Sequence, residues 1–344
     1  MRLTKVDTDD QRWLDWCGQL PGATIFHHPA WSQVLHDAYG YSPACLALLD
    51  ANEAVHATLN LVTVTSALTG NRLVSLPFTD FCPPLVRDDP LILYQLYEAV
   101  EKWRSGQGLN LYLHWRAPQW ESARVFDKAY SHTTRLHPDS AVLFGRFKKT
   151  RVQQPIRQAK EAGVTTKISH TREDLQKFYH LHVATRRRLG TPVQPLRFFD
   201  CLWQRLLSQG LGFVLLAEKG HETLAAAVFL HWNQTLVYKY SASNSAYSRL
   251  RPTHLLLWHA IQWGCENGYS VLDWGKTALE NEGLREFKRG WATEEELREY
   301  SVLSEFPTRP LTTHRRKQAV SFIIRHSPAW VCRLIGELLY AHSA

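Results

Sequence analysis

Apolar spacing along the chain switches between the two-residue rhythm of strands and the three-to-four-residue rhythm of helices, and it does so twice in the same order. Leu46–Leu49, a polar turn at Asp50-Ala51-Asn52-Glu53 and Val55–Val64 read as strand, turn and strand. Phe213–Ala217, Glu218-Lys219-Gly220-His221 and Thr223–Trp232 read the same way. A short strand follows in each half, Arg72–Leu76 and Leu236–Tyr240, and after it a helix, about Pro90–Ser105 and Thr253–Glu266. Leu96 and Trp103 in the first helix match Leu256 and Trp263 in the second. Each helix stops at a glycine, Gly108 or Gly268, before a strand at Leu109–Trp115 or Val271–Trp274. The offset holds at roughly 160 to 168 residues, the mark of an internal duplication.

Each copy therefore runs strand, strand, strand, helix, strand, an antiparallel meander beside a parallel crossover. That order predicts an α/β protein with mixed sheets and helices on their faces. Between the copies, Arg146–Lys160 predicts one helix in spite of Pro155, with Gly163 as its stop. Arg172–Leu189 predicts a helix with Leu175, Phe178, Tyr179, His182 and Val183 on one side, and Leu196–Ser208 predicts another. The second sheet ends near Tyr300–Leu303. The expected domains are 1–145, 146–308 and a tail, 309–344.

In the tail, Ser327-Pro328 is a helix start, and Trp330, Val331, Leu334, Ile335, Leu338 and Leu339 form one apolar stripe. Arg315, Arg316, Lys317, Arg325 and Arg333 surround it. Such a basic amphipathic helix either packs on the first unit's sheet or lies on an anionic membrane surface. Both placements stand open.

Composition sharpens this picture. With 344 residues, 44% hydrophobic and 21% charged, the chain buries a sizeable core and is no disordered tail. Its net charge of +8 is local: Arg146–Lys167 holds seven basic residues against one acidic, and Arg309–Ala344 six against one. A general basic coat is excluded. No apolar run reaches the ~20 residues of a membrane span. Met1–Asp10 lacks the apolar core of a signal peptide, so the chain is expected in the cytoplasm. The six cysteines (Cys17, Cys45, Cys82, Cys201, Cys265 and Cys332) are scattered, as reduced buried thiols would be. His27-His28, His180/His182 and His254/His259 lack zinc-ligand spacing, and no metal is expected. G-x-S-x-G, Walker and GxGxxG motifs do not occur, which leaves serine hydrolase, NTPase and dehydrogenase chemistry without support.

A set of short motifs carries more. In order they are Phe26-His27-His28-Pro29-Ala30-Trp31 with Tyr39-Gly40-Tyr41, Leu76-Pro77-Phe78-Thr79-Asp80, Lys239-Tyr240-Ser241-Ala242-Ser243, Leu272-Asp273-Trp274-Gly275, and Gly283-Leu284-Arg285-Glu286-Phe287-Lys288-Arg289-Gly290-Trp291. Over about residues 20–303 the chain resembles the FemAB-type acyltransferases, including their BioF2-like branch, in which the GNAT (Gcn5-related N-acetyltransferase) fold is doubled. The resemblance implies two tandem GNAT-like domains and transfer of an acyl or aminoacyl group to an amine. It implies acyl-CoA or aminoacyl-tRNA as co-substrate, with no tightly bound cofactor. It points to cell-envelope or exopolysaccharide precursors, with a small-molecule or lipid-linked amine as acceptor, at the inner membrane face. A non-catalytic scaffold of a polysaccharide-assembly system is the reading from another class.

Acyl transfer to an amine needs a neutral amine, a stabilised oxyanion and a held donor. Lys288 is the first catalytic candidate, since Fem-type enzymes have a functional Phe-Lys pair where Phe287-Lys288 stands here. Asp273, expected at a buried strand's end, either orients the amine and takes its proton or caps nearby N–H groups. Tyr240 is a candidate hydrogen-bond donor, as is Tyr300. By the resemblance, donor phosphates sit at the helix start Pro252-Thr253-His254. The preceding loop lacks Gly-x-Gly but offers Arg249 and Arg251. The donor-binding candidates are thus Arg249, Arg251, Thr253, His254 and Phe287. The first unit supplies the acceptor cleft, with Trp31, Tyr39, Tyr41, Phe78, Asp80 and Phe81 as stacking and polar surfaces or as core. Arg187, in the triple Arg186-Arg187-Arg188, is a candidate phosphate clamp for the acceptor. The Arg146–Lys160 patch suits tRNA phosphates or a plain solvated helix.

Overall fold

The computed structural model describes residues 1–304 and 314–342 apart from 68, 88, 118–119 and 121, with backbone only at 314–317. In chain order the elements are β1 (Arg2–Val6), α1 (Gln11–Gln19), α2 (Pro29–Tyr39), β2 (Ser42–Leu49), β3 (Val55–Val64), β4 (Arg72–Val74), β5 (Leu85–Val86), α3 (Pro90–Ser105) and β6 (Leu111–Leu113). Next come β7 (Ala123–Arg135), α4 (Ser140–Arg146), α5 (Gln154–Glu161), β8 (Thr165–Ser169), α6 (Arg172–Leu189), α7 (Leu196–Arg205), β9 (Gly212–Lys219), β10 (Glu222–Trp232) and β11 (Thr235–Ser243). The chain closes with α8 (Pro252–Glu266), β12 (Val271–Ala278), α9 (Glu282–Arg289), β13 (Glu294–Leu303), α10 (His314–His326) and α11 (Ala329–Tyr340).

The duplication is real in three dimensions. β1-α1-α2-β2-β3-β4-α3-β6 and β8-α6-α7-β9-β10-β11-α8-β12 are the same sequence of elements. In each, a meander of antiparallel pairs ends in one parallel pair, β4 with β6 and β11 with β12, joined by a helix. The mixed α/β class and the two tandem units follow directly from the duplicated pattern.

The chain divides into two compact units, each described by itself. One holds Met1–Ala129, Leu297–Thr313 and Leu338–Ala344; the other holds Tyr130–Glu296 and His314–Glu337. These limits differ from 1–145, 146–308 and 309–344. Ser301–Leu303 of β13 pairs with β6 in the first unit, while β7 lies beside β12 in the second. Each unit thus takes a strand from the stretch of chain that follows the other copy, a long-range choice that local spacing does not encode. The tail is likewise shared between the two units. The side chains of Arg315, Arg316 and Lys317, and the 308/309 boundary, lie outside the described residues.

In the first unit, even-numbered Ala44, Leu46 and Leu48 of β2 pack with α3 residues such as Leu96 and Val100. Odd-numbered Cys45, Ala47 and Leu49 pack with Trp13 and Trp16 of α1. In the second unit, Phe213, Leu215, Ala227 and Phe229 meet Leu256, Trp258 and Ile261 of α8, and α6 covers β9, β10 and β11. Burial on both faces explains why these strands read as nearly unbroken apolar runs. The helix expected over Arg146–Lys160 runs without interruption from Lys149 to Glu161; Arg146 instead ends α4 and Phe147 is extended. Its first turn, Lys149–Gln153, is π-helical, and Pro155, which has no N–H to donate to a preceding turn, follows just after it.

Candidate active site

The parallel ladder of the second unit opens part-way. Registered pairs between β11 and β12 run from Thr235–Val271 to Val237–Asp273, yet β11 continues to Ser243 and β12 to Ala278. Two local irregularities lie where the pairing stops. On β11 the register with β10 shifts between Val228–Tyr240 and Phe229–Tyr238, a bulge at Lys239. The bulge turns Tyr238 toward Trp274 and Phe229, and Tyr240 toward His182, Phe198 and Phe199. On β12, Gly275 has φ +69°, a conformation that favours glycine, and its N–H donates to the Asp273 carboxylate at 2.8 Å. Asp273 is therefore mid-strand and not at the strand's end, because β12 runs on past the point where the apolar pattern stops.

Lys288 lies under this opening. It is 4% exposed, in the last turn of α9, and its Nζ donates to the carbonyl oxygens of Gly275 and Lys276, each at 3.0 Å. The surface lysine allowed by the charged run around it is thus excluded. α9 is held in turn by Arg285, which donates to both oxygens of Glu295 at 2.8 and 3.0 Å and lies 3.7 Å over the Tyr130 ring. His132 Nε2 shares Glu295 at 2.9 Å. The Arg285 hydrogen bonds hold the Glu295 carboxyl down to about 2, while burial lowers His132 despite that carboxylate. Arg285 was visible in the Gly283–Trp291 motif; His132 and Glu295 carried no sequence signal, since they come from β7 and β13.

α8 begins beside these elements. Its N-cap is Arg251, in a left-handed conformation at φ +54°, and no side chain caps the first turn. A helix start without a capping side chain leaves N–H groups directed outward, an arrangement that attracts phosphate. His254, in the first turn, packs against Phe287 and Trp291. Burial, reinforced by the Arg251 charge, lowers His254 to about 4, so it is neutral at physiological pH. Arg249 and Arg251 are exposed and Thr253 is half-buried. The structure thus gathers His254 and Phe287 around Trp291, with Lys288 and Asp273 both bonded to Gly275. Tyr240 joins a separate aromatic cluster.

The family model described as an acetyltransferase (GNAT) domain matches residues 146–289. Residues 146–289 are a GNAT acetyltransferase domain. Among solved structures, FemX is similar over 93% of this chain and 100% of its own, at 14% identity and a TM-score of 0.70. A tandem GNAT protein from the clavulanic acid biosynthesis pathway is similar over 90% and 99%, at 11% identity and TM-score 0.55. The C-terminal domain of a putative lysylphosphatidylglycerol synthetase from Agrobacterium fabrum is similar over 86% and 91%, at 13% identity and TM-score 0.54. No curated protein sequence matches significantly. The chain has the doubled GNAT fold, and with its GNAT domain it is an acyltransferase.

Set beside the GNAT domain, the first unit differs at the matching helix start. Asp89 caps α3, its carboxylate accepting from the Leu91 N–H at 2.9 Å. A carboxylate capping a helix start disfavours an anion there. The aromatic candidates of this unit do cluster. Tyr39 stacks on Tyr41 at 5.4 Å and meets Phe78 at 5.2 Å, and Phe78 meets Tyr340. Trp31 and Tyr41 are core, however. Trp31 Nε1 donates to Thr79, and the Tyr41 hydroxyl donates to the carbonyls of Tyr340 and Ala341. Tyr39, Phe78 and Asp80 reach the surface in part. Leu76 and Phe78 are left-handed at φ +59° and +58°, a strain in two non-glycine residues that is concentrated in one motif. The Asp80 carbonyl accepts from the Tyr300 hydroxyl, and Arg298 lies over Phe81. In the second unit, Arg187 donates through Nε to the Ser327 carbonyl, a tether for the tail. Among the described residues no group of three or more His, Cys, Asp or Glu side chains is placed to hold a metal, and no helix is long and apolar enough to cross a membrane.

Proposed function

We propose that this acyltransferase moves an acyl group from an acyl thioester to an amine on a cell-envelope or exopolysaccharide precursor. The observation that supports it is the opened β11–β12 ladder beside the uncapped start of α8, with the buried Lys288 beneath. The donor's phosphates lie against the first turn of α8, with the exposed Arg249 and Arg251 as countercharges and Phe287, Thr253 and His254 as its walls. The acyl carbon extends into the opening. The amine nitrogen attacks that carbon, the carbonyl oxygen becomes an oxyanion, and collapse breaks the carbon–sulfur bond. Asp273 orients the amine and takes its proton, and the departing thiolate takes a proton from water, Tyr240 lying in the separate cluster with His182, Phe198 and Phe199. Lys288 supplies positive charge near the developing oxyanion. Tyr39, Phe78 and Asp80, with the buried Trp31 and Tyr41 behind them, offer the acceptor its stacking surface, and Arg187 meets an acceptor phosphate.

A second donor has its own support. FemX is the neighbour of TM-score 0.70, and Lys148, Lys149, Arg151 and Arg157 make the π-turn and α5 a basic surface that suits the phosphates of aminoacyl-tRNA. The acceptor is a small or lipid-linked amine, and the enzyme works as a peripheral protein at the cytoplasmic face of the membrane.

Binding separates the donors. Purified protein is titrated with acetyl-CoA and with a charged tRNA pool at stated salt, and turnover is assayed with and without ribonuclease. Saturable coenzyme A binding is the expected result. Ribonuclease-sensitive transfer would move the donor to tRNA, and no turnover with either would return the chain to the scaffold reading.

A further inference from the structure

α10 and α11 have two apolar faces each, and one of each pair is already used. Toward the protein, Ile324 of α10 is buried, and Ser321 and Arg325 lie on Gly190, the left-handed C-cap of α6. A side chain at Gly190 would overlap Ser321 and Arg325. Gly336 of α11 lies on the backbone of Val193, and the Cys332 thiol points to the Thr191 carbonyl. Arg325 donates to the Leu189 carbonyl. Close backbone approach at two glycines makes this docking specific.

The opposite faces look into solvent and are not polar. Phe322 and Ile323 of α10 are 64% and 48% exposed; Trp330, Leu334 and Leu338, one turn apart on α11, are 63%, 48% and 61% exposed. Leu189 and Leu196, at the ends of the segment on which both helices dock, are exposed as well. That many large apolar side chains on one pair of helices is more than scattered surface hydrophobics require. Around them the charge is one-sided. Residues 186–197 carry Arg186, Arg187, Arg188 and Arg197 with no acidic residue, and 318–340 carry Arg325 and Arg333 against Glu337.

We propose that the outward faces of α10 and α11 form a docking surface for an anionic phospholipid bilayer, with Trp330, Leu334, Phe322 and Ile323 entering the headgroup region and the arginines meeting phosphates. Charge decides for this occupant. A second copy meeting the first through the same patch would set the exposed Arg188, Arg197 and Arg333 against their own like charges, whereas an anionic bilayer complements them. One face of the tail thus docks on the end of α6 and the segment after it, not on the first unit's sheet as the sequence allowed, and the other is presented to lipid. This inference rests on the peripheral-membrane reading above and supplies its surface.

The test uses the full chain and sedimentation with sucrose-loaded vesicles, of phosphatidylcholine alone or with about one third phosphatidylglycerol, while transfer is assayed on a water-soluble amine. The expected result is salt-sensitive binding to the anionic vesicles only. The double variant Trp330→Ser/Leu334→Ser should lower the partition coefficient by about tenfold or more, with the melting temperature and soluble-acceptor transfer unchanged. Absence of wild-type binding, or equal binding by a folded variant, overturns the proposal. A wild-type dimer that the variant dissociates would assign the patch to a second copy instead. Loss of soluble transfer in both proteins would count against the enzyme reading and leave the docking result standing.

Discussion

The Lys288 ammonium donates to the Gly275 carbonyl at 3.0 Å, and Gly275 is the left-handed residue at which β12 leaves its registered pairing with β11. A buried charge here holds open the gap in which acyl transfer is proposed to occur. The same contact gives Lys288 a structural duty, because removing it leaves the buried Gly275 carbonyl and the part-buried Lys276 carbonyl short of a donor. Lys288→Ala is therefore expected to cost about 1–3 kcal/mol of stability as well as about a hundredfold or more in turnover. Thermal melts and single-turnover rates on the folded fraction check both. A destabilised variant with an unchanged rate would make Lys288 purely structural.

The two helix starts predict opposite responses. Arg251→Asp puts a carboxylate where α8 has no capping side chain, and it should weaken acyl-CoA binding about tenfold with little effect on melting. Asp89→Ala removes the cap of α3 and should cost about 1 kcal/mol without changing donor affinity. Calorimetric titration of both variants decides. Weaker binding in Asp89→Ala would place a donor site in the first unit.

Acid should destabilise the protein steeply. Burial holds His27, His28, His182, His231 and His254 at about 4, against an ordinary 6.5. The folded values lie below the unfolded ones, so the unfolded chain binds more protons between pH 6.5 and 4. Stability is complete above 6.5 and falls as pH drops, by about 1.4 kcal/mol per pH unit for each such histidine. Urea midpoints from pH 7 to 4.5 test this, and His254→Gln should flatten the slope. A flat profile would show these rings to be solvated.

Tail docking has its own probe. Gly336→Ala sets a methyl into the Val193 carbonyl, and Gly190→Ala adds a clash with Ser321 to a φ of +70°. Either should cost about 1–3 kcal/mol and speed proteolytic release of the C-terminal helices. Protection equal to wild type would mean that the helices pack elsewhere.

Periodicity and punctuation determined a good part of this protein. Arg172–Leu189 and Pro90–Ser105 are helices over the very residues whose spacing, breakers and caps announce them, and the duplication is visible because each copy repeats its strand, turn and helix signals. Those are local properties, written within a few residues. The motif set likewise located α9 and Phe287-Lys288. Tertiary structure decided the rest. Lys288 lies in a charged run that reads as surface, and only the approach of β12 buries it. The bulge at Lys239 reverses the strand's alternation, so Tyr238 and Tyr240, two apart, face opposite sides. His132 and Glu295 meet from strands far apart in the chain, and β7 and β13 pair with the strands they do because backbone pairing is blind to sequence distance. The tail's stripe was legible as apolar. Which of its faces is covered depends on Gly190 and Gly336, where the absence of a side chain matters only once a second backbone lies against it.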